Sequence, residues 1–359
     1  MNIDSLQEKK SLIFFGEKPP RTIHGASISS GINLAMLQDY FNIKIIEEFA
    51  DLKYHGRFSL NKSFVFLGAI KELQQALARN TYDCFYGVLY FSSFGIIKNY
   101  LALSLYRRAN PAGKVYLHIH RSDFDRFHAS KLNRFFFSKV HRMTDRFILL
   151  SAQQQDDFPV AADKKVVLFN TIEQEGMSKV HKEKEQVLRC IYIANYIEEK
   201  GVGELTRVFC QLPAASYYLD CYGNVTQPAY WEMLTAGIAG QVHIQLHQAI
   251  TGDQKFQALC AADVFIFPSH NEGMPLVLLE AMSLGLPVIT TCVGYVNELL
   301  GDDYPFYCEP KNEASLKDCI ERFKRYEDKA GLSVMLLQRY QTHFSRQSHQ
   351  QNLKRIFSL

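Results

Sequence analysis

The sequence has no apolar run approaching the ~18–20 residues that a transmembrane helix needs, so no helix is expected to cross a bilayer. Its eight cysteines (84, 190, 210, 221, 260, 292, 308 and 319) form no C-x-x-C pair and no zinc-ligand spacing. They read as reduced, mostly buried thiols, the usage of a cytosolic protein. The first residues, MNIDSLQEKKSLIFF, lack the layout of a secretory signal. There are no internal repeats and no low-complexity tracts, so no solenoid or disordered tail is expected. Net charge is only +3, which argues against a generally polycationic chain.

What is present is an ordinary globular composition, 47% hydrophobic and 21% charged, rich in aromatics with 26 Phe and 19 Tyr. A chain of 359 residues is long enough for two domains. The charge is uneven. Between Lys98 and Phe147 eleven Lys/Arg face three Asp, a balance of +8 that leaves −5 for the rest. That asymmetry suggests an anionic partner for the region.

Short apolar runs alternate with helical stretches. Strands are expected at Ser11–Gly16, Ile43–Ile46, Ser63–Leu67, Cys84–Val88, Lys114–Ile119, Phe147–Ser151 and Val166–Phe169. Helices are expected from about Gly31 to Phe41, over Lys71–Arg79, and over a stretch ending at Leu101–Arg108. The polar segment Thr171–Gln186 reads as a linker. A second α/β unit then starts at Val187, with strands near Arg189–Ile193, Tyr217–Cys221 and Val242–Leu246. The last stretch, Leu332–Leu359, reads as helical. Such alternation implies doubly wound parallel sheets.

The chain is organised around Asp263–Thr291, DVFIFPSHNEGMPLVLLEAMSLGLPVITT. It reads as strand, loop, helix, turn, strand. Pro275 suits the first helical turn, and Gly285 a C-terminal cap. Gly273 precedes the helix, where free N–H groups and the positive helix end suit a phosphate. Glu280 stands in a helix that is otherwise apolar all round and therefore buried. A carboxylate there requires donors. A ribose diol would supply them, and a nearby Arg or Lys is the plainer partner. Glu272 points from the loop toward whatever the phosphate carries, or is simply solvated.

The pattern N-E-G-x-P-x-x-x-x-E-A-M-x-x-G-x-P-V-I resembles the E-x7-E signature of glycosyltransferase family 4, a large retaining family with the GT-B fold. The resemblance implies two Rossmann-like doubly wound domains facing a central cleft. Residues 1–172 would bind the acceptor and 173–345 the nucleotide sugar, with a helix over 346–359 packing back on the first domain. Glu272 and Glu280 match the two acids. Gly273, Met274 and Pro275 match the backbone that holds the donor diphosphate. Gly223 matches a strand-end glycine of the donor domain, and Ile244–Thr251 should lie near the base. Lys200-Gly201 matches the family's Lys-Gly, while Asn195 stands where the family has Arg, which leaves the second phosphate charge to another group. A lysine there can neutralise a leaving diphosphate. Asn170 matches the Asn of a P-N-G strand end, with Thr171 in place of Gly. The loop Glu17–Ser30, with His24, Gly25 and Ala26, would border the acceptor.

His118-Ile-His120-Arg-Ser-Asp123-Phe-Asp125 admits two chemistries. By the resemblance, His120 faces the cleft and contacts the transferred sugar, with His118 the choice if the register slips by one pleat. Alternatively the two His and two Asp form the centre of a metal-dependent hydrolase. KLNRFFFSKVHRMTDRF, Lys131–Phe147, reads as a basic aromatic helix. Lys131, Arg134, Lys139, Arg142 and Arg146 would sit on anionic headgroups while Phe135–Phe137 dip in; otherwise it is a solvated helix whose phenylalanines pack in the core. No nucleic-acid motif accompanies it.

The expectation is therefore a cytoplasmic glycosyltransferase, either free or peripheral on the inner face of the plasma membrane, building a bacterial cell-surface polysaccharide. It would need no metal and no cofactor beyond a UDP- or GDP-linked donor. His120, Lys200 and Glu272 would carry the catalysis. A GT-B-like binding protein without turnover is the other alternative.

Overall fold

The structure, a computed structural model, describes residues 9–48, 60–173 and 186–359, with side chains from 64 onward in the second stretch. Part of the expected linker, 174–185, lies outside the described residues. The chain divides into two compact units, Met1–Phe169 with Gln350–Leu359, and Asn170–His349. The division falls between 169 and 170, where the sequence reading drew it between 172 and 173, and the chain re-enters the first unit at 350 rather than 346.

The first unit holds a parallel sheet of β1 (Lys10–Gly16), β2 (Phe41–Glu47), β3 (Cys84–Val88), β4 (Lys114–His118), β5 (Arg146–Leu149) and β6 (Lys165–Val167), in the order β2-β1-β3-β4-β5-β6. Alternate residues of each strand serve opposite faces. From β1, Ile13 and Phe15 join a core with Phe85, Leu117, Phe147 and the helices Leu60–Arg79, Ser93–Ala109 and Lys131–Met143. Leu12 and Phe14 join Tyr86, Tyr116 and Ile148 on the other face, beneath the helix Gly25–Leu37. Phe357, from the end of the chain, closes that second face. Its ring stacks on Tyr116 at 4.3 Å and meets Tyr86 edge-on at 5.7 Å.

The second unit repeats the plan with β7 (Leu188–Ile193), β8 (Tyr217–Gly223), β9 (Ile244–Gln248), β10 (Val264–Phe267), β11 (Val288–Thr291) and β12 (Tyr307–Cys308), all parallel, in the order β12-β11-β10-β7-β8-β9. Fully buried runs such as VFIF in β10 are what a sheet covered on both faces demands. The helix Leu276–Ser283 stops in a Schellman motif. Leu286 N–H donates to Ala281 C=O and Gly285 N–H to Met282 C=O, with Gly285 left-handed at φ +63°.

Three expectations fail. Ser63–Leu67 is helix, part of Leu60–Arg79: Phe66, Ala69, Leu73 and Ala76 are buried at helical spacing, while Phe64 and Leu67 are exposed. The first helix runs Gly25–Leu37, so it starts earlier than Gly31, and Phe41 opens β2. Pro275 is the N-cap of its helix, extended at ψ 125°, rather than a first-turn residue.

Removing the Phe357 ring opens a cavity among Tyr116, Tyr86 and Phe41, whose ring lies edge-on at 5.9 Å. Phe357→Ala should cost ~3–5 kcal/mol of stability, the usual range for a buried Phe. Denaturant unfolding followed by circular dichroism measures it, and a loss under ~1 kcal/mol would mean that Phe357 does not seal the face.

Candidate functional site

The second unit gathers its chemistry at the carboxyl ends of β7, β8 and β10, where open α/β sheets bind ligands. Beyond β7, a short 3-10 turn, Glu198–Lys200, is followed by Gly201 at φ +70°. A side chain at Gly201 would place its Cβ 2.0 Å from Pro268 C=O, so only glycine lets the two loops touch. His270 N–H donates to Glu199 C=O at 2.8 Å and fixes that contact. Lys200 Nζ consequently reaches Glu272 Oε1 at 2.5 Å. Ser269 Oγ donates to the same carboxylate oxygen at 2.6 Å. Glu272 is thus bound back toward the Lys200 loop rather than extended into open space.

The 271–275 loop is held from both sides. Tyr295 N–H donates to Gly273 C=O at 3.1 Å, and Asn170 Nδ2 to the carbonyl of buried Met274 at 3.0 Å. Gly294, at φ +59°, lies against Glu272 C=O, where an added Cβ would stand 2.0 Å away. Gly223 presses similarly on Ala194 C=O. Asn195 Oδ1 accepts from Asn224 Nδ2 at 3.2 Å, an uncharged contact in the place of an arginine.

Glu280 is 8% exposed. Lys255 Nζ donates to its Oε1, and its Oε2 is buried with no hydrogen-bond partner in the protein. Burial pushes the Glu280 carboxyl above its ordinary pKa, and Lys255 pulls it part of the way back. The expected basic partner therefore exists, yet one oxygen stays open. Lys255, Ser269 and Gly294 escaped the sequence reading. Lys255 lies on the helix Gly252–Ala261, and nothing in its own neighbourhood marks it. The Gly-Tyr pair after β11 was the available signal for Gly294.

In the first unit, β4 ends at His118, two residues before His120. His118 is fully buried, and its Nδ1 lies 3.0 Å from Tyr86 Oη, which also accepts from Asn33 Nδ2 at 2.8 Å. The His120 ring lies against it, tilted by 40° with ring centroids 4.0 Å apart, and lines a cavity. Its Nε2 is buried without a hydrogen-bond partner. Burial, and then the nearby His24, depress the His120 pKa to about 3.

The hydrolase alternative loses its geometry. Asp123 is chelated by the Arg121 guanidinium, and Asp125 is an exposed first-turn residue of the short helix Phe124–His128. Among the described residues, no group of three or more His, Cys, Asp or Glu side chains is placed to hold a metal.

His24, Gly25 and Ala26 are not a loop. His24 caps the helix Gly25–Leu37, its Nδ1 accepting from Ser27 N–H at 3.2 Å while Ser27 Oγ accepts from His24 N–H at 2.9 Å. Glu17 holds the other ring nitrogen at 2.6 Å. The helix Lys131–Met143 exposes Lys131, Arg134, Phe135 and Arg142, with Lys139 half-buried over the Phe135 ring. Phe136 and Phe137 pack toward the core, so only Phe135 of that trio faces outward. No helix among the described residues is long and apolar enough to cross a membrane.

Residues 173–331 match the family model of "Glycosyl transferases group 1". The chain is 34% identical over 137 residues to the putative teichuronic acid biosynthesis glycosyltransferase TuaC of Bacillus subtilis, covering 37% of this chain and 32% of that protein. It is 25% identical over 218 residues to the amylovoran biosynthesis glycosyltransferase AmsK of Erwinia amylovora, covering 56% and 53%. The matches therefore span about half or less of these relatives' length. Among solved structures, sucrose-phosphate synthase from Thermosynechococcus elongatus superposes with a TM-score of 0.73 at 14% identity, covering 97% of this chain and 98% of that one. Anabaena Alr3699/HepE in complex with UDP gives 0.73 at 15%, covering 97% and 99%. The fold is GT-B, two parallel-sheet Rossmann-like units.

A His120 pKa near 3 makes the ring neutral at every physiological pH. Its folded value lies below the unfolded one, so the stability it contributes is present above about pH 6.5 and is lost as pH falls toward 3. In an NMR titration the His120 ring should stay neutral through pH 6.5. A ring that gains its proton near 6.5 would overturn the assignment.

Proposed function

We propose that this chain is a retaining glycosyltransferase of family 4, moving a sugar from a nucleotide-sugar donor to a glycan or lipid-linked acceptor in bacterial surface-polysaccharide synthesis. The observation that carries the proposal is the contact of Lys200 with Glu272, 72 residues apart, inside the segment that matches the family model. It puts an ammonium and a carboxylate at the ends of strands where a diphosphate and its sugar would lie. The named relatives in teichuronic acid and amylovoran biosynthesis supply the pathway class.

On this reading the donor diphosphate takes Lys200 from one side while Glu272 holds it from the other. The ammonium then stabilises charge that grows as the glycosidic bond breaks. Glu272, freed from part of that pairing, meets the sugar hydroxyls. Glu280 Oε2 receives a ribose hydroxyl, which satisfies an oxygen that has no partner in the protein. The second phosphate charge, lacking an arginine at Asn195, falls to the backbone N–H groups between Gly273 and the start of the helix Leu276–Ser283. UDP or GDP is the proposed carrier, with no metal required. His120, neutral, offers the sugar a hydrogen bond.

Membrane docking is the second element of the proposal. Leu132 is 48% exposed and Phe135 57%, side by side with the cations of the same helix. That is the surface of a protein seated at anionic headgroups.

Two measurements test these statements. Lys200→Ala should lower kcat/KM for sugar transfer ~100-fold, the usual loss for one charge-stabilising group. A variant with near-wild-type rate sinks the diphosphate role. Wild type should co-sediment with phosphatidylglycerol vesicles at low salt, and reversing Lys131, Arg134 and Arg142 should abolish this. Indifference of wild type to such vesicles removes the docking surface.

A further inference from the structure

A cleft of about 660 Å³ opens on the first unit, within the roughly 300–1,000 Å³ of ligand pockets. Lys114 opens β4, Arg146 opens β5 and Lys165 opens β6, three neighbouring parallel strands. The cleft therefore lies at their amino ends, whereas His120 follows the carboxyl end of β4. The last helix, Arg346–Phe357, adds Arg355 and Ile356 to the wall. Every lining residue belongs to the first unit.

Its charge is one-sided. Seven Lys and Arg line the cleft against two Asp, a balance of +5. Arg107, Lys114, Arg142 and Arg146 are four of the eleven cations between Lys98 and Phe147, so part of the charge asymmetry of the sequence comes together here. One carboxylate is already committed. Asp145 pairs with Arg107, lies 3.6 Å from Lys114 and accepts from Val115 N–H at 2.8 Å. The other, Asp163, is exposed. Among the described residues, Arg142, Arg146 and Arg355 have no carboxylate partner.

Some of these cations are fixed in place. Lys164 Nζ donates to His141 C=O at 3.0 Å and to Thr144 C=O at 2.8 Å. Lys165 Nζ donates to Phe158 C=O at 2.9 Å, and Arg107 Nε to Met143 C=O at 2.9 Å. Carbonyls orient the two lysines without neutralising them. The guanidiniums of Arg142, Arg146 and Arg355 are on exposed residues and can close on a ligand.

These features select the ligand. Guanidinium forks match phosphate oxygens two at a time. A lone carboxylate would neutralise a fraction of the +5. An acidic polysaccharide spaces its charges by whole sugar rings, too far apart for several to enter one cleft of this size. A nucleotide base lacks a platform. Tyr116 is the one aromatic residue in the described lining, and the Phe357 ring already covers one of its faces at 4.3 Å. What fits is a compact anion with several phosphate charges and no base.

We propose that this cleft binds a compact anion bearing two or more phosphates, with Arg142, Arg146 and Arg355 closing on its oxygens. A soluble polyphosphate and the diphosphate headgroup of a lipid share that chemistry. Arg355 belongs to the last helix and Arg146 to β5, so the anion ties the end of the chain to the sheet. The site stands apart from the transfer reading, which concerns the other edge of this sheet and the second unit.

Calorimetry with the full chain and tripolyphosphate tests this at ~150 mM salt, where exposed charges more than ~8 Å apart are largely screened. Wild type should bind, and more tightly than it binds orthophosphate. Arg146→Gln combined with Arg355→Gln should weaken binding tenfold or more, since one lost charged hydrogen bond is worth about that factor. If the double variant fails to fold, Arg355→Gln alone decides, with a several-fold loss expected. The site should survive Lys200→Ala. No binding by wild type, equal binding by the folded variant, or loss of all binding with Lys200→Ala overturns the proposal. Equal affinity for sulfate, an adventitious ion only, overturns it as well. So does ATP binding far more tightly than tripolyphosphate, which would mean a base-reading site. Phosphatidylcholine vesicles carrying a prenyl diphosphate separate the two sources. Capture of wild type but not of the variant assigns the lipid headgroup. Tripolyphosphate binding without capture assigns a soluble polyphosphate.

Discussion

Backbone lies directly on backbone around the second unit's candidate site, and the placement of its charges depends on that. Gly201 touches Pro268 C=O and Gly294 touches Glu272 C=O, each with no room for a methyl group. Both glycines also have positive φ, which other residues adopt only at a cost of ~1–2 kcal/mol. The first contact brings the Lys200 loop onto the loop after β10. The second presses the 271–275 loop from the other side. Between them the carboxylate of Glu272 has little choice of direction. A lysine with four rotatable bonds makes a poorly defined site by itself. Here the backbone removes most of that freedom before any ligand arrives.

The same logic separates the two acids of the E-x7-E pattern. Glu272 lies on a loop and takes two donors on one oxygen, Lys200 and Ser269. Glu280 lies within a helix whose neighbours are buried hydrophobics, and takes one donor, Lys255. Burial raises the Glu280 carboxyl above its ordinary pKa, and Lys255 opposes that shift. Removing Lys255 would leave a buried carboxylate with neither oxygen paired, a worse state than removing both partners together. Lys255 therefore favours the ionised form of Glu280 and fixes the direction of one of its oxygens.

The sequence made the sheets legible because a parallel strand covered on both faces is a short, unbroken apolar run. LIFF, CFYGV and VFIF all have that form, and each lies in a strand. The same cue misled at Phe64–Leu67, FVFL. Four contiguous apolar residues mimic a strand, although the burial of Phe66, Ala69, Leu73 and Ala76 follows a helical face. Periodicity over the longer window Leu60–Arg79 carried the right answer. The helix start at Gly25 was hidden by chemistry of another sort. Its cap is a histidine whose ring is fixed by Glu17 seven residues before it, so no Ser, Thr, Asp or Asn announces it. The acids and glycines of the candidate site were visible as a spaced pattern. Lys255 was not, because its pairing with Glu280 exists only after the helix Gly252–Ala261 packs beside the next one. Pairings between elements have no period, and a single sequence holds no trace of them.

The neutrality of His120 bears on what the proposed reaction can ask of it. A sugar leaving its diphosphate develops positive charge at the anomeric carbon. A protonated imidazole beside that centre would oppose it, by an amount that grows as water is excluded. Burial of His120 removes that conflict by holding the ring unprotonated down to about pH 3. The buried Nε2, without a partner in the protein, then has only hydrogen-bonding chemistry to offer. If the proton sits on Nδ1, Nε2 accepts from a sugar hydroxyl and lends it electron density. If it sits on Nε2, the ring donates to a sugar oxygen. Neither tautomer makes His120 a proton reservoir. His118 is the contrasting case. Fully buried, and bound to Tyr86, it fixes the end of β4 from which His120 extends. The two histidines share a strand end and a tilted ring contact, yet burial and hydrogen bonding assign one to the scaffold and leave the other facing the cavity.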